Sequence, residues 1–180
     1  MPRIHPLSND VASPESKELF GQVQKKLGRV PNLMQSLGHS PAALGGYLSL
    51  NESLSRGVLN TKDRERIALT VAEYHRCGYC SAAHSAIGSM VGLKEDQIHD
   101  ARRGSSDDPK AESLLRFVHR VLDSKGHVED TDLESFRAAG YSDAAVAEVV
   151  AHISLNVLTN FFNSVAETEI DFPQVKVLAS

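Results

Sequence analysis

The sequence predicts a single all-α domain over residues 1–180. Helix-capping residues recur along the whole chain, no segment alternates apolar and polar residues as a strand does, and the last long segment is apolar over a wide helical arc. A chain of this length buries about 70 % of the surface that it exposes when unfolded, so the domain needs no covalent staple to fold.

Start and end signals predict eight helices. Ser13 suits the N-cap of the first, Pro14 its first helical position and Gly28 its end. The other seven predicted helices run, in order, from Ser40-Pro41 to near Gly57; over 62–76 after a cap at Asn60 or Thr61; from Cys77 to before Gly92; over 94–103, stopped by Gly104; from Pro109 to Gly126; from a cap at Asp130 to Gly140; and over 143–169 after a cap at Ser142.

The last predicted helix, 143–169, would be about 40 Å long at 1.5 Å per residue. Its wide apolar arc needs cover from several neighbouring helices or from another subunit. His152, Asn156, Asn160 and Asn163 form a polar stripe along it. We expect this stripe to be a hydrogen-bonded buried seam, and the alternative is that part of it lines a pocket beside the cysteines.

The segments outside the helices are expected to be extended arms, over about 1–12 and 170–180. A redox core is expected over about 40–125. The formal net charge of −4 and the scattered Lys and Arg residues carry no footprint of nucleic-acid or anionic-membrane binding. No apolar run approaches the ~20 residues of a membrane span, and Met1 to Pro6 lack the apolar core of a signal peptide. These observations predict a cytoplasmic location.

The most informative motif is Cys77-Gly78-Tyr79-Cys80, which contains both cysteines of the chain and is followed by His84. Two thiols one helical turn apart close a small disulfide and reopen it, which makes them a reversible two-electron switch. Cys77 is expected at a helix N-terminus, where the helix dipole favours a thiolate. His84 shares the face of both cysteines and accepts a proton near neutral pH.

A carboxylate behind the histidine would complete a proton relay, and two candidates lie on the preceding helix. Glu65 lies beside its apolar stripe, and Glu73 follows eight residues later. Either reaches the thiols if the two helices pack together, and the sequence does not choose between them.

Other chemistries fit the same residues. Cys77, Cys80 and His84 could hold a zinc ion with Glu65, Glu73 or water, although structural zinc sites usually bring a second ligand pair from elsewhere in the chain. The cysteines could be inert core residues. They could also serve a protein disulfide reductase or redox sensor, whose partner is a protein dithiol.

The motif and its flanks resemble the superfamily of alkylhydroperoxidase D (AhpD) and carboxymuconolactone decarboxylase. The core of the likeness is 64–69 together with 77–84, and softer similarity to the peroxidase-related branch extends over most of 28–173. The resemblance implies an all-α AhpD-like fold, with the Cys-x-x-Cys motif at the start of a central helix and a long C-terminal helix. It also implies self-assembly into trimers or hexamers.

The resemblance further implies reduction of organic hydroperoxides in antioxidant defence, without a metal or other cofactor. Cys80 would attack the peroxide, Cys77 would close the disulfide, and His84 with Glu65 would move the protons. The electron donor would be a lipoyl-bearing or thioredoxin-like dithiol. The dipole argument favours Cys77 as the more acidic thiol, but access also governs reactivity, so we follow the family assignment.

The sequence departs from the better-studied enzyme at one position. That enzyme has a second histidine just before the second cysteine, where this chain has Tyr79, a poor base at neutral pH. Tyr79 and Glu73 are therefore supporting candidates. The decarboxylase branch is the rival within the superfamily, and the presence of both thiols argues against it.

Overall fold

A computed structural model describes residues 1–176 and 178 of the chain. Over these residues the structure has nine helices and no strand, which confirms the predicted all-α class. The helices are α1 (Pro14–Leu27), α2 (Asn32–Leu37), α3 (Pro41–Leu54), α4 (Thr61–Tyr74), α5 (Gly78–Met90), α6 (Glu95–Arg102), α7 (Pro109–Asp123), α8 (Asp130–Ala138) and α9 (Asp143–Ala166).

The predicted side-chain caps form where the sequence placed them. Ser13, Ser40, Asn60 and Ser142 each accept a hydrogen bond from the backbone N–H three residues later. These bonds satisfy amide donors that a helix start otherwise leaves free. Capping chemistry therefore sets the starts of α1, α3, α4 and α9.

One helix was missed, and one ends earlier than expected. The six residues of α2 begin after Pro31, whose side chain makes no cap hydrogen bond, so neither periodicity nor capping announced the helix. Helix α9 ends at Ala166 because Glu167 takes a left-handed conformation with φ 48°. A glycine is the usual residue at such an end, and the glutamate gave no signal.

The arms have no helix where the structure describes them, over 1–12 and 170–176. The backbone amides of Arg3 and Ile4 donate to the carbonyl of Ala166, which attaches the N-terminal arm to the end of α9. Residues 177, 179 and 180 of the predicted C-terminal arm lie outside the described residues.

Helix α4 lies at the centre of the fold and packs against α5, α6, α7 and α9. Ile67, Leu69 and Val71 have no exposed surface. One core lies between α4, α7, α8 and α9, where the rings of Phe117, Phe136 and Tyr141 stack in sequence. A second core joins α1, α2 and α3 to the start of α5. The cysteines lie in this second core.

By length and composition alone, α9 is long and apolar enough to cross a membrane, a test that core helices of soluble proteins also pass. It packs against α3, α4 and α5, and it buries the polar stripe. The side-chain amides of Asn156 and Asn160 donate to the carbonyls of His152 and Asn156 at 2.8 and 2.6 Å. This part of the stripe is the expected hydrogen-bonded seam of a core helix.

Replacing Phe136 by alanine should strongly destabilise the fold. Its ring is 1 % exposed and lies between two stacked aromatic rings, so the substitution removes transfer energy and leaves a cavity. We expect a loss of about 3–5 kcal/mol in the free energy of unfolding, measured by urea denaturation. Met90→Ala is the control, since Met90 is 85 % exposed. A loss for Phe136→Ala no larger than that of the control would contradict the packing described.

His152 should make the protein less stable in mild acid. Burial lowers the pKa of this imidazole, the Arg64 guanidinium acts in the same direction, and the carboxylates of Glu148 and Glu65 oppose them. The unfolded chain therefore binds a proton below about pH 6.5 that the folded protein does not, and stability falls as the pH falls.

The non-titrating His152→Gln variant should lose part of this slope. Urea denaturation of both proteins at several pH values between about 7 and 5 compares the slopes, independently of any constant cost of the substitution. Each pKa unit between the two states is worth about 1.4 kcal/mol. Parallel stability profiles for the two proteins would rule out a neutral buried His152.

Candidate active site

The two cysteines lie at the start of α5 and form a disulfide, with their Cα atoms 5.3 Å apart. Cys77 is the N-cap residue, and its sulfur accepts a hydrogen bond from the Cys80 amide at 3.2 Å. The chain reverses sharply before it, with Arg76 at φ 54° and the Cys77 amide donating to the Ala72 carbonyl at 2.8 Å. This turn ties the motif to the end of α4.

A cavity of about 740 Å³ lies beside the motif. Cys80, His84 and Glu65 are part of its wall, whereas the described lining does not include Cys77. Both cysteines are almost fully buried from bulk solvent. A small molecule in the cavity therefore meets the sulfur side of the motif at Cys80.

The predicted histidine and one of the two candidate glutamates meet across α4 and α5. His84 Nδ1 lies 2.8 Å from Glu65 Oε2. Their side chains are 21 % and 14 % exposed, so the pair is partly shielded from water but open to the cavity. Because the carboxylate engages Nδ1, it orients the ring and leaves Nε2 as the nitrogen for exchanging a proton with another group.

The other candidate, Glu73, lies in a different environment. Its Oε2 accepts hydrogen bonds from Arg102 Nε at 2.9 Å and from the Ser81 hydroxyl at 3.2 Å. It lines a second cavity of about 830 Å³, together with Arg103 and residues of the C-terminal arm. Helix α5 thus presents His84 to Glu65 and Ser81 to Glu73.

Tyr79, where the better-studied enzyme has a histidine, joins three segments of the chain. Its hydroxyl accepts a hydrogen bond from the Leu33 amide at 3.2 Å and donates one to Asp171 Oδ1 at 2.7 Å. Burial raises the pKa of Tyr79, the Leu33 amide acts against this, and Asp171 adds to it. The hydroxyl therefore stays protonated and serves as a structural link.

The same link fixes the C-terminal arm over the cavity. Arg29 pairs with Asp171 Oδ2 at 2.7 Å, and its guanidinium lies 4.4 Å from the centre of the Phe172 ring. Phe172 is itself part of the cavity wall. The arm and the start of α2 are therefore structural parts of the site.

Two residues at the site were not assigned to it from the sequence. Tyr47 lines the cavity, and burial, with a contribution from the Glu65 carboxylate, raises its pKa to about 12. Nothing in the sequence around Tyr47 indicated this. Asn163 donates from Nδ2 to Cys80 Sγ at 3.2 Å. The polar stripe of α9 was its signal, although attention fell on Asn156 and Asn160 within it.

The remaining cavity wall is largely apolar, with a polar rim between α1 and α3. Lys26 and Glu52 form an ion pair across these two helices. The apolar lining residues are Leu19, Val23, Leu27, Pro31, Leu33, Met34, Leu48, Ala83, Ile87 and Phe172. Such walls favour a ligand with a substantial apolar part.

The described residues hold no group of three or more His, Cys, Asp or Glu side chains arranged to bind a metal ion.

The family relationship follows from a sequence profile. Residues 41–119, which include α4, the cysteine motif and His84, match the Carboxymuconolactone decarboxylase family. No curated protein sequence matches the chain significantly.

Solved structures share the fold over nearly the whole chain. An uncharacterized peroxidase-related protein from Ralstonia eutropha JMP134, described as an alkylhydroperoxidase AhpD core, superposes with a TM-score of 0.86 at 22 % identity, covering 94 % of this chain and 92 % of that one. For a peroxidase-related protein from Silicibacter sp. TM1040 the values are 0.80, 22 %, 92 % and 91 %.

The debrominase Bmp8 has a TM-score of 0.78 at 21 % identity, with 93 % of this chain and 91 % of Bmp8 covered. A variant of Bmp8 has been crystallised with 2,3,4-tribromopyrrole. At this level of identity these similarities establish the helical fold. Together with the family match over the cysteine core, they show that the chain belongs to the superfamily of AhpD and carboxymuconolactone decarboxylase.

Proposed function

We propose that the protein is a thiol-dependent peroxidase that reduces organic hydroperoxides in antioxidant defence. The observation that carries the proposal is the geometry around Cys80. Its residue lines a cavity next to the His84–Glu65 pair, and a second cysteine lies within disulfide distance. Nucleophile, proton carrier, orienting carboxylate and resolving thiol are the groups that such a reaction needs.

The reaction begins with the reduced protein. The Cys80 thiolate attacks one oxygen of the hydroperoxide, and the O–O bond breaks to give a Cys80 sulfenic acid. The departing alkoxide takes a proton from His84 and leaves as an alcohol. Glu65 orients the imidazole and stabilises its charged form.

The second step closes the disulfide. Cys77 attacks the Cys80 sulfur, and the hydroxyl of the sulfenic acid leaves with a proton as water. The two thiols have then given two electrons to the peroxide. A dithiol donor, lipoyl-bearing or thioredoxin-like, returns them by exchange and is itself oxidised to a disulfide.

The apolar walls of the cavity support a substrate class within this proposal. Hydroperoxides with a bulky apolar group would bury it against the walls and leave the O–O bond at the polar cluster of Cys80, His84 and Glu65. The near-complete burial of both cysteines favours such a small molecule over a protein disulfide as the oxidant.

Assembly and location are also proposals. Helix α9 exposes Val150, Leu158, Phe161 and Val165 along one stripe. Burying that stripe against other copies would suit the trimer or hexamer that the family resemblance implies. We propose a cytoplasmic location, where dithiol donors stay reduced.

A second candidate is thiol-dependent reductive dehalogenation of an aromatic ring. Aromatic side chains from Tyr47, Tyr79 and Phe172 line the cavity, and the debrominase Bmp8 shares the fold. In this reaction the thiols would supply two electrons to replace a halogen by hydrogen and would end as the same disulfide. The lyase and zinc-module alternatives, by contrast, require no turnover of the thiols.

Thiol counting on the reduced, metal-free protein tests the proposal directly. One equivalent of cumene hydroperoxide should rapidly remove both thiols, and mass spectrometry should locate a Cys77–Cys80 disulfide. Cys80→Ser should abolish peroxide turnover. Thiols that survive cumene hydroperoxide but react with 2,3,4-tribromopyrrole would favour dehalogenation. Thiols that react with neither would overturn both candidates.

The two glutamates offer a matched pair of variants. Glu65→Gln keeps the shape but removes the charge beside His84, so kcat/KM for cumene hydroperoxide should fall by about 10²-fold or more. Glu73→Gln makes the same chemical change on the same helix, at a residue bound to Arg102 and Ser81. It should stay near the wild-type value. Equal losses in the two variants would refute the assignment of the relay to Glu65.

A further inference from the structure

We propose that Asn163 is a catalytic residue of this site, whose side-chain amide stabilises the Cys80 thiolate by a hydrogen bond to its sulfur. The inference rests on the peroxidase function proposed above, and it concerns a residue of α9 that the cysteine motif and its histidine do not include.

The contact is direct and buried. Asn163 Nδ2 lies 3.2 Å from Cys80 Sγ. Asn163 is 4 % exposed and Cys80 is 2 % exposed, so little water competes for the sulfur. A hydrogen bond to the charged form of a group favours that form, and the effect is stronger where the local dielectric is low. The amide is therefore aimed at the atom that carries the negative charge of the nucleophile.

Asn163 uses its amide differently from its neighbours in the stripe. The side-chain amides of Asn156 and Asn160 donate to backbone carbonyls four residues earlier on α9. Asn163 donates instead to a sulfur that is 83 positions away in the sequence. The first two satisfy the helix itself, whereas Asn163 serves the site.

The end of α9 holds Asn163 in place. Its carbonyl accepts the amides of Glu167 and Thr168 where the helix terminates. The N-terminal arm is bonded to Ala166 in the same turn. A donor held in this way needs no reorganisation when the thiolate forms, which is the condition for effective electrostatic stabilisation.

The two sulfurs thus receive one N–H donor each. The Cys80 amide donates to the Cys77 sulfur at the helix start, and Asn163 donates to the Cys80 sulfur. The helix terminus favours Cys77 as a thiolate, and Asn163 offsets this advantage at Cys80. Because Tyr79 replaces the histidine that the better-studied enzyme carries beside its second cysteine, an uncharged donor supplies the stabilisation here.

The test measures the Cys80 thiolate without any peroxide. In a Cys77→Ser background only one thiol remains, and serine still suits the N-cap. Thiolate absorbance at 240 nm is followed against pH. Asn163→Leu, which is close in volume and has no donor, should raise the titration midpoint by about one unit, a tenfold loss of thiolate at a given pH. Asn163→Asp adds a negative charge and should raise it further.

Asn160→Leu is the matched control. Asn160 is a buried asparagine one turn earlier on α9, and its amide donates to the Asn156 carbonyl. Its variant should leave the midpoint unchanged. The proposal is overturned if Asn163→Leu does not shift the midpoint, if only the aspartate variant does, or if Asn160→Leu shifts it equally.

A second measurement covers a leucine variant that folds poorly. With both cysteines present, Asn163→Ser is equilibrated with dithiothreitol buffers, and the disulfide fraction is counted. Loss of the donor destabilises the reduced form, so the disulfide should become about tenfold harder to reduce, or about 30 mV lower in potential. An unchanged equilibrium would contradict the proposal. Both readouts are independent of peroxide turnover, so a failure here is distinguishable from a failure of the peroxidase assignment.

Discussion

The burial of α4 on every side is the constraint on which the rest of the structure depends. Four other helices pack against it, and its middle residues have essentially no exposed surface. Ala68 and Ala72 are buried on α4, and Ala82 and Ala83 are buried on α5. These short side chains allow the two helices to approach closely enough for Glu65 to reach His84. The proton relay is thus a consequence of core packing.

Helix α5 divides the chemistry into two regions. Toward one cavity it presents Cys80 and His84, and toward the other it presents Ser81, which is bound to Glu73 and Arg102. The division explains why two glutamates on the same helix have different partners, although both are close to the cysteine motif in sequence. Periodicity along α4 fixes the face of each residue, and only the positions of α5 and α6 decide what each face meets.

Much of the fold was predictable because capping is local. Ser13, Ser40, Asn60 and Ser142 act through amides three residues away, so short windows of sequence contain the whole interaction. Helix α2 lacks such a cap and was missed. The cysteine motif and His84 were predictable by spacing within one helix, whereas the bond of Asn163 to Cys80 joins segments 83 residues apart. Contacts of that kind depend on tertiary packing, which periodicity cannot supply.

The link through Tyr79 has a consequence for how this branch of the superfamily can diverge. Its hydroxyl is shared between Leu33 and Asp171, and Asp171 is shared with Arg29. A histidine at position 79 is too short to span the same partners, so it would leave a buried amide and a carboxylate without their shared neighbour. Positions 29, 79 and 171 are therefore one evolutionary unit. A relative that regains the second histidine must also rebuild its C-terminal arm, so the length and sequence of that arm should diverge together with the catalytic motif.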